Sequence, residues 1–206
     1  KAVKCWGKGL EGQIGNADNL NTNVPLSVTG LSNVQSITSG SGHSCALLTD
    51  STIQCWGYNA NGQLGDGTTA NRNTPVQVTG IANAATLGAG GNTTCATLVT
   101  GAVSCWGLNN FGQLGNGTTT NSTTPVTVSG LTTATTVAVS QRTSCALLAD
   151  NKLRCWGRAT WGQLDNGAVS APEFIDYYYG TPRYRQNDTS ATTPAIGLNF
   201  ATLDAQ

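Results

Sequence analysis

The chain is poor in charge. Basic and acidic residues balance to a formal net charge of zero, and only 10% of the 206 residues are charged. A nucleic-acid footprint needs a basic stripe or patch, so nucleic acid is not an expected partner. Long apolar runs are also missing. No stretch nears the ~20 residues that span a bilayer as a helix, and no membrane insertion is expected. No signal peptide is visible, so any targeting segment has been removed or lies outside this numbering. Methionine is absent, and histidine occurs once, at His43. No Ser/His/Asp set can be built on one histidine that no motif supports. The acidic residues Asp18, Asp50, Asp66 and Asp150 sit in turn-like stretches, where aspartate is favoured for backbone reasons, and suggest no carboxylate pair. The expectation is a chain that is not an enzyme, with no catalytic residues and no cofactor.

What the chain does contain is repetition. Cys-Trp-Gly occurs at residues 5–7, 55–57, 105–107 and 155–157, always at the same interval. A fixed period of this size marks a repeat architecture, in which one unit cannot bury its apolar face alone. The repeats run roughly 1–50, 51–100, 101–150 and 151–206. Glycine, threonine, asparagine and serine dominate, as suits short strands joined by tight turns.

The seven cysteines follow the same rhythm. Six fall into pairs ten residues apart: Cys45/Cys55, Cys95/Cys105 and Cys145/Cys155. Cys5 lacks an upstream partner and is expected to be unpaired or to bond to another molecule. The regular pairing favours disulfides and an oxidising compartment. Zinc is the rival reading, but it wants closely spaced ligand pairs and usually histidine. No metal site is assigned.

One copy shows the plan. Val34 to Thr38 alternates apolar and polar residues, a strand signal. His43 to Leu48 reads as a second strand and Thr52 to Trp56 as a third. Between them stand Thr49-Asp50-Ser51, with Val99-Thr100-Gly101 and Ala149-Asp150-Asn151 in the later copies. Glycine or asparagine in third place suits a three-residue hairpin whose last residue is left-handed. That loop sets 47 opposite 53 and 45 opposite 55, with opposed Cα atoms about 4.5–5.5 Å apart, a distance a disulfide accepts. Cys45, Leu47, Ile53 and Cys55 then share one face, while Ala46 and Leu48 lie on the other. A small sheet that is apolar on both sides must be covered on both sides, as propeller blades are. Gly62-Gln63-Leu64-Gly65 reads as a tight loop that pins Leu64 into a neighbour. Pro75 to Val78 supplies a fourth, outer strand, with proline at a strand start or edge.

These motifs resemble the regulator of chromosome condensation repeat family. The resemblance is carried by residues 43–50, by Cys55-Trp56-Gly57-Tyr58-Asn59, by residues 62–68 and by Pro75-Val76-Gln77-Val78, all at fixed offsets. It covers residues 1 to about 167 and resumes near Pro194. It implies an all-β fold of four-stranded antiparallel propeller blades, and the paired cysteines look like the family's secreted bacterial branch. Some members are nuclear exchange factors for a small GTPase, and one secreted relative inhibits β-lactamases. Fold does not fix function, so neither role transfers by itself.

The fourth copy departs from the pattern. Thirteen positions separate Gly12 from Pro25, Gly62 from Pro75 and Gly112 from Pro125, but thirty-two separate Gly162 from Pro194. The inserted stretch, about 173–191, holds Phe174, Tyr177, Tyr178, Tyr179, Arg183, Tyr184 and Arg185. Tyrosine and arginine are enriched at interface hot spots, so these are the partner-binding candidates. A loop folded back over an edge of its own propeller is the alternative. His43 reads as a structural histidine, because its counterparts fall at Asn92 or Thr93 and at Arg142 or Thr143. The repeated tryptophans read as packing between blades rather than a carbohydrate platform. Sequons stand at Asn92, Asn116, Asn121 and Asn187.

The ends of the chain complete the reading. Read through Phe200-Ala201-Thr202-Leu203, the sequence stops at the position of Gly90, while Lys1 stands at that of Gly101. The stretch between corresponds to a cysteine-bearing strand, so four repeats are expected with one strand missing. Its absence leaves an edge that further sequence or a neighbouring molecule would satisfy. A head-to-tail contact that does not close would give a filament. The expected function is a non-catalytic structural or adhesive module, extracellular or on a cell surface, that binds a protein partner or itself. The alternative is a dedicated binder or enzyme inhibitor of the β-lactamase-inhibitor kind.

Overall fold

The pleat of each copy decides how the sheets are stacked. In the computed structural model, which describes residues 2–160 and 164 and the backbone of 176–178 and 181–183, every copy folds into consecutive antiparallel strands. The sheets are offset from the sequence repeats; counted as sheets, the second copy runs β3 (Val34–Ser39), β4 (His43–Leu48), β5 (Ile53–Gly57) and β6 (Arg72–Gln77), hydrogen-bonded in that order. The third repeats it with β7 (Ala84–Gly90), β8 (Thr93–Leu98), β9 (Val103–Gly107) and β10 (Ser122–Thr127). Three described strands follow, β11 (Ala134–Val139), β12 (Thr143–Leu148) and β13 (Leu153–Gly157). The first copy contributes two strands, β1 (Lys4–Gly7) and β2 (Thr22–Ser27). The chain divides into two units, Lys1–Val169 and Ser170–Gln206. In the second, β14 (Asp176–Tyr178) pairs with β15 (Thr181–Arg183).

The hairpins obey the three-residue rule. Ser51, Gly101 and Asn151 take φ of 64°, 82° and 61°. The left-handed residue turns the chain so that Leu47 meets Ile53 and Cys45 meets Cys55, and the later copies keep this register. Cys45–Cys55, Cys95–Cys105 and Cys145–Cys155 are disulfides, with Cα atoms 4.1, 4.0 and 4.0 Å apart. That is closer than expected for opposed residues in general and fits the nearer, non-hydrogen-bonded kind of pair.

The outer strand differs from the sequence reading. It does not start at Pro75. β6 starts at Arg72, and Pro75 lies inside it, where the five residues from Arg72 to Val76 face the three from Gly57 to Cys55. Pro25 and Pro125 sit in the same irregularity. A residue without an N–H is tolerated there because a bulged edge strand has no ladder bond to lose.

The two apolar faces of each sheet enter different cores. Cys45, Leu47, Ile53 and Cys55 pack with Leu64 and Val78 against Ala84, Ala96 and Trp106 of the next sheet. Ala46, Leu48 and Trp56 pack backward against Val3 and Val28 of the first copy. The same arrangement joins the third and fourth copies, through Cys95, Val103, Leu114 and Val137. Each Gly-Gln-x-Gly loop seats the next tryptophan. A Cβ on Gly65 would lie 2.7 Å from Trp106 Nε1, and Gly15 and Gly115 stand in the same relation to Trp56 and Trp156. Leu64 and Trp106 are fully buried beside it. Burying ~200 Å² of one indole at ~25 cal/mol per Å² contributes about 5 kcal/mol, which makes this the main joint between copies.

Candidate functional site

Among the described residues, three places have chemistry beyond packing, and each follows from the joints. The first is the edge of β1. Val3, Cys5 and Trp6 occupy the positions of Ile53, Cys55 and Trp56, yet no described strand pairs with β1 on the side where β4 flanks β5. The identical motif therefore has opposite surroundings. Trp6 is 63% exposed, whereas Trp56 and Trp106 are 1% and 0%. Ile37 is 60% exposed, whereas its counterpart Val137 is 6%. Between them runs a groove of about 370 Å³, lined by Val3, Cys5, Trp6, Ile14, Ile37 and Trp56 among others. Cys5 is a free thiol, half-buried at this groove, and burial raises its pKa. It is the thiol rather than the thiolate that is favoured, which slows its exchange with disulfides.

The second is His43. The register places it opposite Gly57, and its counterparts are Thr93 and Thr143 rather than Asn92 and Arg142. The Thr94 hydroxyl donates to the Gln63 carbonyl at 2.9 Å, so His43 Nε2–H donates to Thr94 Oγ1 at 2.8 Å. That leaves Nδ1 unprotonated, buried and without a partner among the described residues. Desolvation lowers the pKa to about 4. A neutral imidazole locked in one tautomer between two sheets is structural.

The third was not legible as a site in the sequence. At each joint three loop positions meet above the seated tryptophan. The backbone N–H groups of Tyr58, Leu108 and Arg158 donate to the carbonyls of Gly42, Asn92 and Arg142 at 2.8, 2.9 and 2.9 Å. Beside them stand Glu11, Asn61 and Phe111, whose backbone N–H groups each donate to the Oε1 of Gln13, Gln63 or Gln113 at 2.9 Å. Gln63 and Gln113 are fully buried. At the third joint the guanidinium carbons of Arg142 and Arg158 lie 5.0 and 5.2 Å from the centre of the Phe111 ring. The available signal was the variation at offsets 11, 42 and 58 within otherwise repeated stretches.

The tyrosine- and arginine-rich candidates belong to the second unit. Phe174, Tyr179, Tyr184 and Arg185 lie outside the described residues. Tyr177, Tyr178 and Arg183 lie in β14 and β15, where Tyr177 pairs with Pro182, Tyr178 with Thr181 and Asp176 with Arg183.

Comparison with known proteins agrees with this organisation. The family model described as the regulator of chromosome condensation (RCC1) repeat matches residues 3–47, 52–97 and 100–147, and a second model of that description matches 34–63, 85–113 and 134–163. The windows of the first model straddle two sheets: 52–97 runs from β5 through β8. One family unit thus holds both sides of a joint. Prp20p from Saccharomyces cerevisiae is similar at 21% identity and a TM-score of 0.70, over 91% of this chain and 47% of that one. Yeast RCC1 (Prp20) crystallised with Kap60 is similar at 22% identity and a TM-score of 0.66, over 91% and 45%. Human WBSCR16 follows at 19% identity and a TM-score of 0.68, over 84% and 44%. At these identities the likeness shows the fold, and the chain spans less than half the length of these structures. No curated protein matches. With its repeats matched in register over most of its length, the chain belongs to the regulator of chromosome condensation repeat family, as a set of β-propeller blades stapled by disulfides.

Proposed function

We propose that the chain is a non-catalytic protein-interaction module, extracellular or at a cell surface, that works by blade completion. The edge of β1 takes a cysteine-bearing strand, and Cys5 bonds to it. The carrying observation is the contrast between Trp6, exposed over a groove, and the buried Trp56 and Trp106 of completed blades. The chain supplies its own template for the occupant. In β4, β8 and β12 the strand reads Ser/Thr-Cys-Ala, its cysteine opposite the cysteine of Cys-Trp-Gly. Strand addition at an edge uses main-chain hydrogen bonds for affinity and alternate side chains for specificity. Every cysteine of the chain other than Cys5 is already bridged. A second copy would therefore have to break a disulfide to donate such a strand, which favours a strand of other sequence, from further chain or from a partner, over strand exchange between copies. Three disulfides support an oxidising compartment. Yeast RCC1 (Prp20), a protein of this fold, is crystallised bound to another protein, Kap60. The stretch from Phe174 to Arg185 enters the proposal as a second contact surface.

A peptide of the sequence Thr-Ser-Cys-Ala-Leu-Leu, carried as its glutathione mixed disulfide, tests the reading. Attack by the Cys5 thiolate on the peptide sulfur releases glutathione thiol and joins the two chains. The expected outcome is one adduct at Cys5 by mass, with slowed amide exchange in β1 and a blue shift of tryptophan emission. The same peptide with its residues scrambled around the cysteine should react no faster than free glutathione disulfide. Equal rates for ordered and scrambled peptides, or an adduct without protection of β1, would exclude blade completion.

A further inference from the structure

Cys5 and Trp6 are consecutive in β1, so their side chains leave opposite faces of the strand. Cys5 packs against the core that Val28, Ala46 and Trp56 share. Trp6 looks the other way, onto the side where each later copy receives the loop of the copy before it. That side is seated three times in this molecule by the same parts. The last glycine of the loop meets the indole: a Cβ on Gly15, Gly65 or Gly115 would lie 2.8, 2.7 or 2.7 Å from Nε1 of Trp56, Trp106 or Trp156. The Gln13 and Gln113 carbonyls accept from Trp56 and Trp156 Nε1 at 3.1 and 2.9 Å. The Cα of each loop glutamine closes on the glycine after the tryptophan. A Cβ on Gly57, Gly107 or Gly157 would lie 3.2, 3.1 or 3.3 Å from Cα of Gln13, Gln63 or Gln113. Further out, the Ala17 and Gly67 N–H groups donate to the outer-strand carbonyls of Asn73 and Thr123 at 2.9 and 3.0 Å.

The first copy presents the same surface, uncovered among the described residues. A Cβ on Gly7 would meet no atom within 4 Å. Val24, on the outer strand, is 55% exposed, whereas its counterparts Thr74 and Thr124 are half-buried. Gly7 nevertheless keeps the backbone of the seated copies, with φ of 109° against 105°, 102° and 106° at Gly57, Gly107 and Gly157. A surface already in its bound conformation lowers the cost of binding. A strand added to β1 extends the sheet in its own plane, whereas a loop packs on the face, so the two occupants do not compete. The loop is restricted by its last residue. The seating glycines take φ of 78°, 70° and 65°, a backbone that other residues adopt at a cost, and leave no room for a Cβ. The fourth loop of this chain reads Gly162-Gln163-Leu164-Asp165, with aspartate in that place. Seated on an indole, it would add a Cβ and bury a charge in an apolar joint.

We infer that the Trp6 face of the first copy is a docking site for a repeat loop of the form Gly-Gln-x-Gly, independent of the β1 edge, and that it refuses this chain's own fourth loop, so that copies do not stack head to tail. The test uses the full chain and a head-to-tail cyclised peptide of residues 109–121. That loop holds its own shape: the Asn109 N–H donates to Asn121 Oδ1 at 2.8 Å, and Asn109 Nδ2 donates to the Thr118 and Thr120 carbonyls at 3.0 Å. On titration the Trp6 indole N–H resonance, assigned by its loss in Trp6→Ala, should shift. The peptide carrying Gly115→Asp should bind about tenfold more weakly or worse, the loss that a left-handed non-glycine residue alone brings. Calorimetry should show no binding to Trp6→Ala, whose melting curve should match the parent because the side chain is exposed. Alkylating Cys5 blocks the strand adduct and should leave loop binding unchanged, which separates this site from blade completion. Sedimentation of the full chain should show no association that Trp6→Ala removes. Absent binding of the parent peptide, equal binding of the two peptides, binding retained by Trp6→Ala or lost on alkylation, or self-association abolished by Trp6→Ala would each overturn the inference.

Discussion

Single residues decide whether neighbouring copies can meet. Gly65 combines a left-handed backbone, φ of 70°, with contact against Trp106, whereas Gly80 has φ of 74° and nothing within 4 Å of an added Cβ. A left-handed non-glycine residue costs about 1–2 kcal/mol, and forcing bulk into a packed core adds about 1–3 kcal/mol. Gly80→Ala should therefore lose only the first amount, and Gly65→Ala about 2–5 kcal/mol, read from denaturant midpoints. Equal losses would mean that Trp106 yields without cost. His43 works through protons. Its native pKa is lowered to about 4, below the ~6.5 of an unfolded histidine. Below pH ~6.5 the unfolded chain binds a proton that the native chain refuses, so stability is full above that pH and lost as pH falls toward 4. The loss amounts to about 3 kcal/mol across that window. His43→Thr places the residue of the other copies at this position, where Thr93 Oγ1 donates to the Leu108 carbonyl at 2.9 Å. That variant should fold and show a flatter stability profile between pH 6.5 and 4. An unchanged profile would put the acid sensitivity elsewhere.

At the scale of elements, the hairpin is the unit that sequence describes best. Loop length, the left-handed third residue and the opposed cysteines are all local, so strand identity and bridge partners could be read within thirteen residues. Each bridge closes a short loop and should contribute about 2–3 kcal/mol on the chain-entropy model. Replacing Cys145 and Cys155 together by alanine should lose that amount in the fourth copy. It should leave the peptides holding Cys45–Cys55 and Cys95–Cys105 linked in a non-reducing digest. Cross-linking between copies in that digest would refute the register. The outer strands were less legible. Pro75 looks like a strand start in sequence because a missing N–H usually ends a ladder, yet the strand begins at Arg72 and carries the proline through a bulge. Pairing on either side of a bulge depends on the partner strand, which a local reading does not contain.

For the whole molecule, the period was the strongest signal. Fifty-residue spacing, cysteine pairs and two-faced strands implied stacked blades before any coordinates, because each is repeated and each repeat constrains the same contact. The sequence by itself determined the antiparallel hairpins, the three disulfide partners and the need to cover both faces of each sheet. It could not determine which copies are covered. Cys-Trp-Gly is written identically at Trp6 and Trp106, but one indole is 63% exposed and the other fully buried. Burial depends on whether another copy's loop and cysteine strand lie against it, and that is a property of the stack rather than of the motif. The same reason hid the cationic joint. Phe111, Arg142 and Arg158 belong to different loops, and only the packing of one sheet on the next brings two guanidiniums to within 5.0 and 5.2 Å of one ring. Local geometry follows from covalent spacing and backbone preference, which sequence encodes directly. Exposure and charge clustering follow from which surfaces the tertiary packing leaves free.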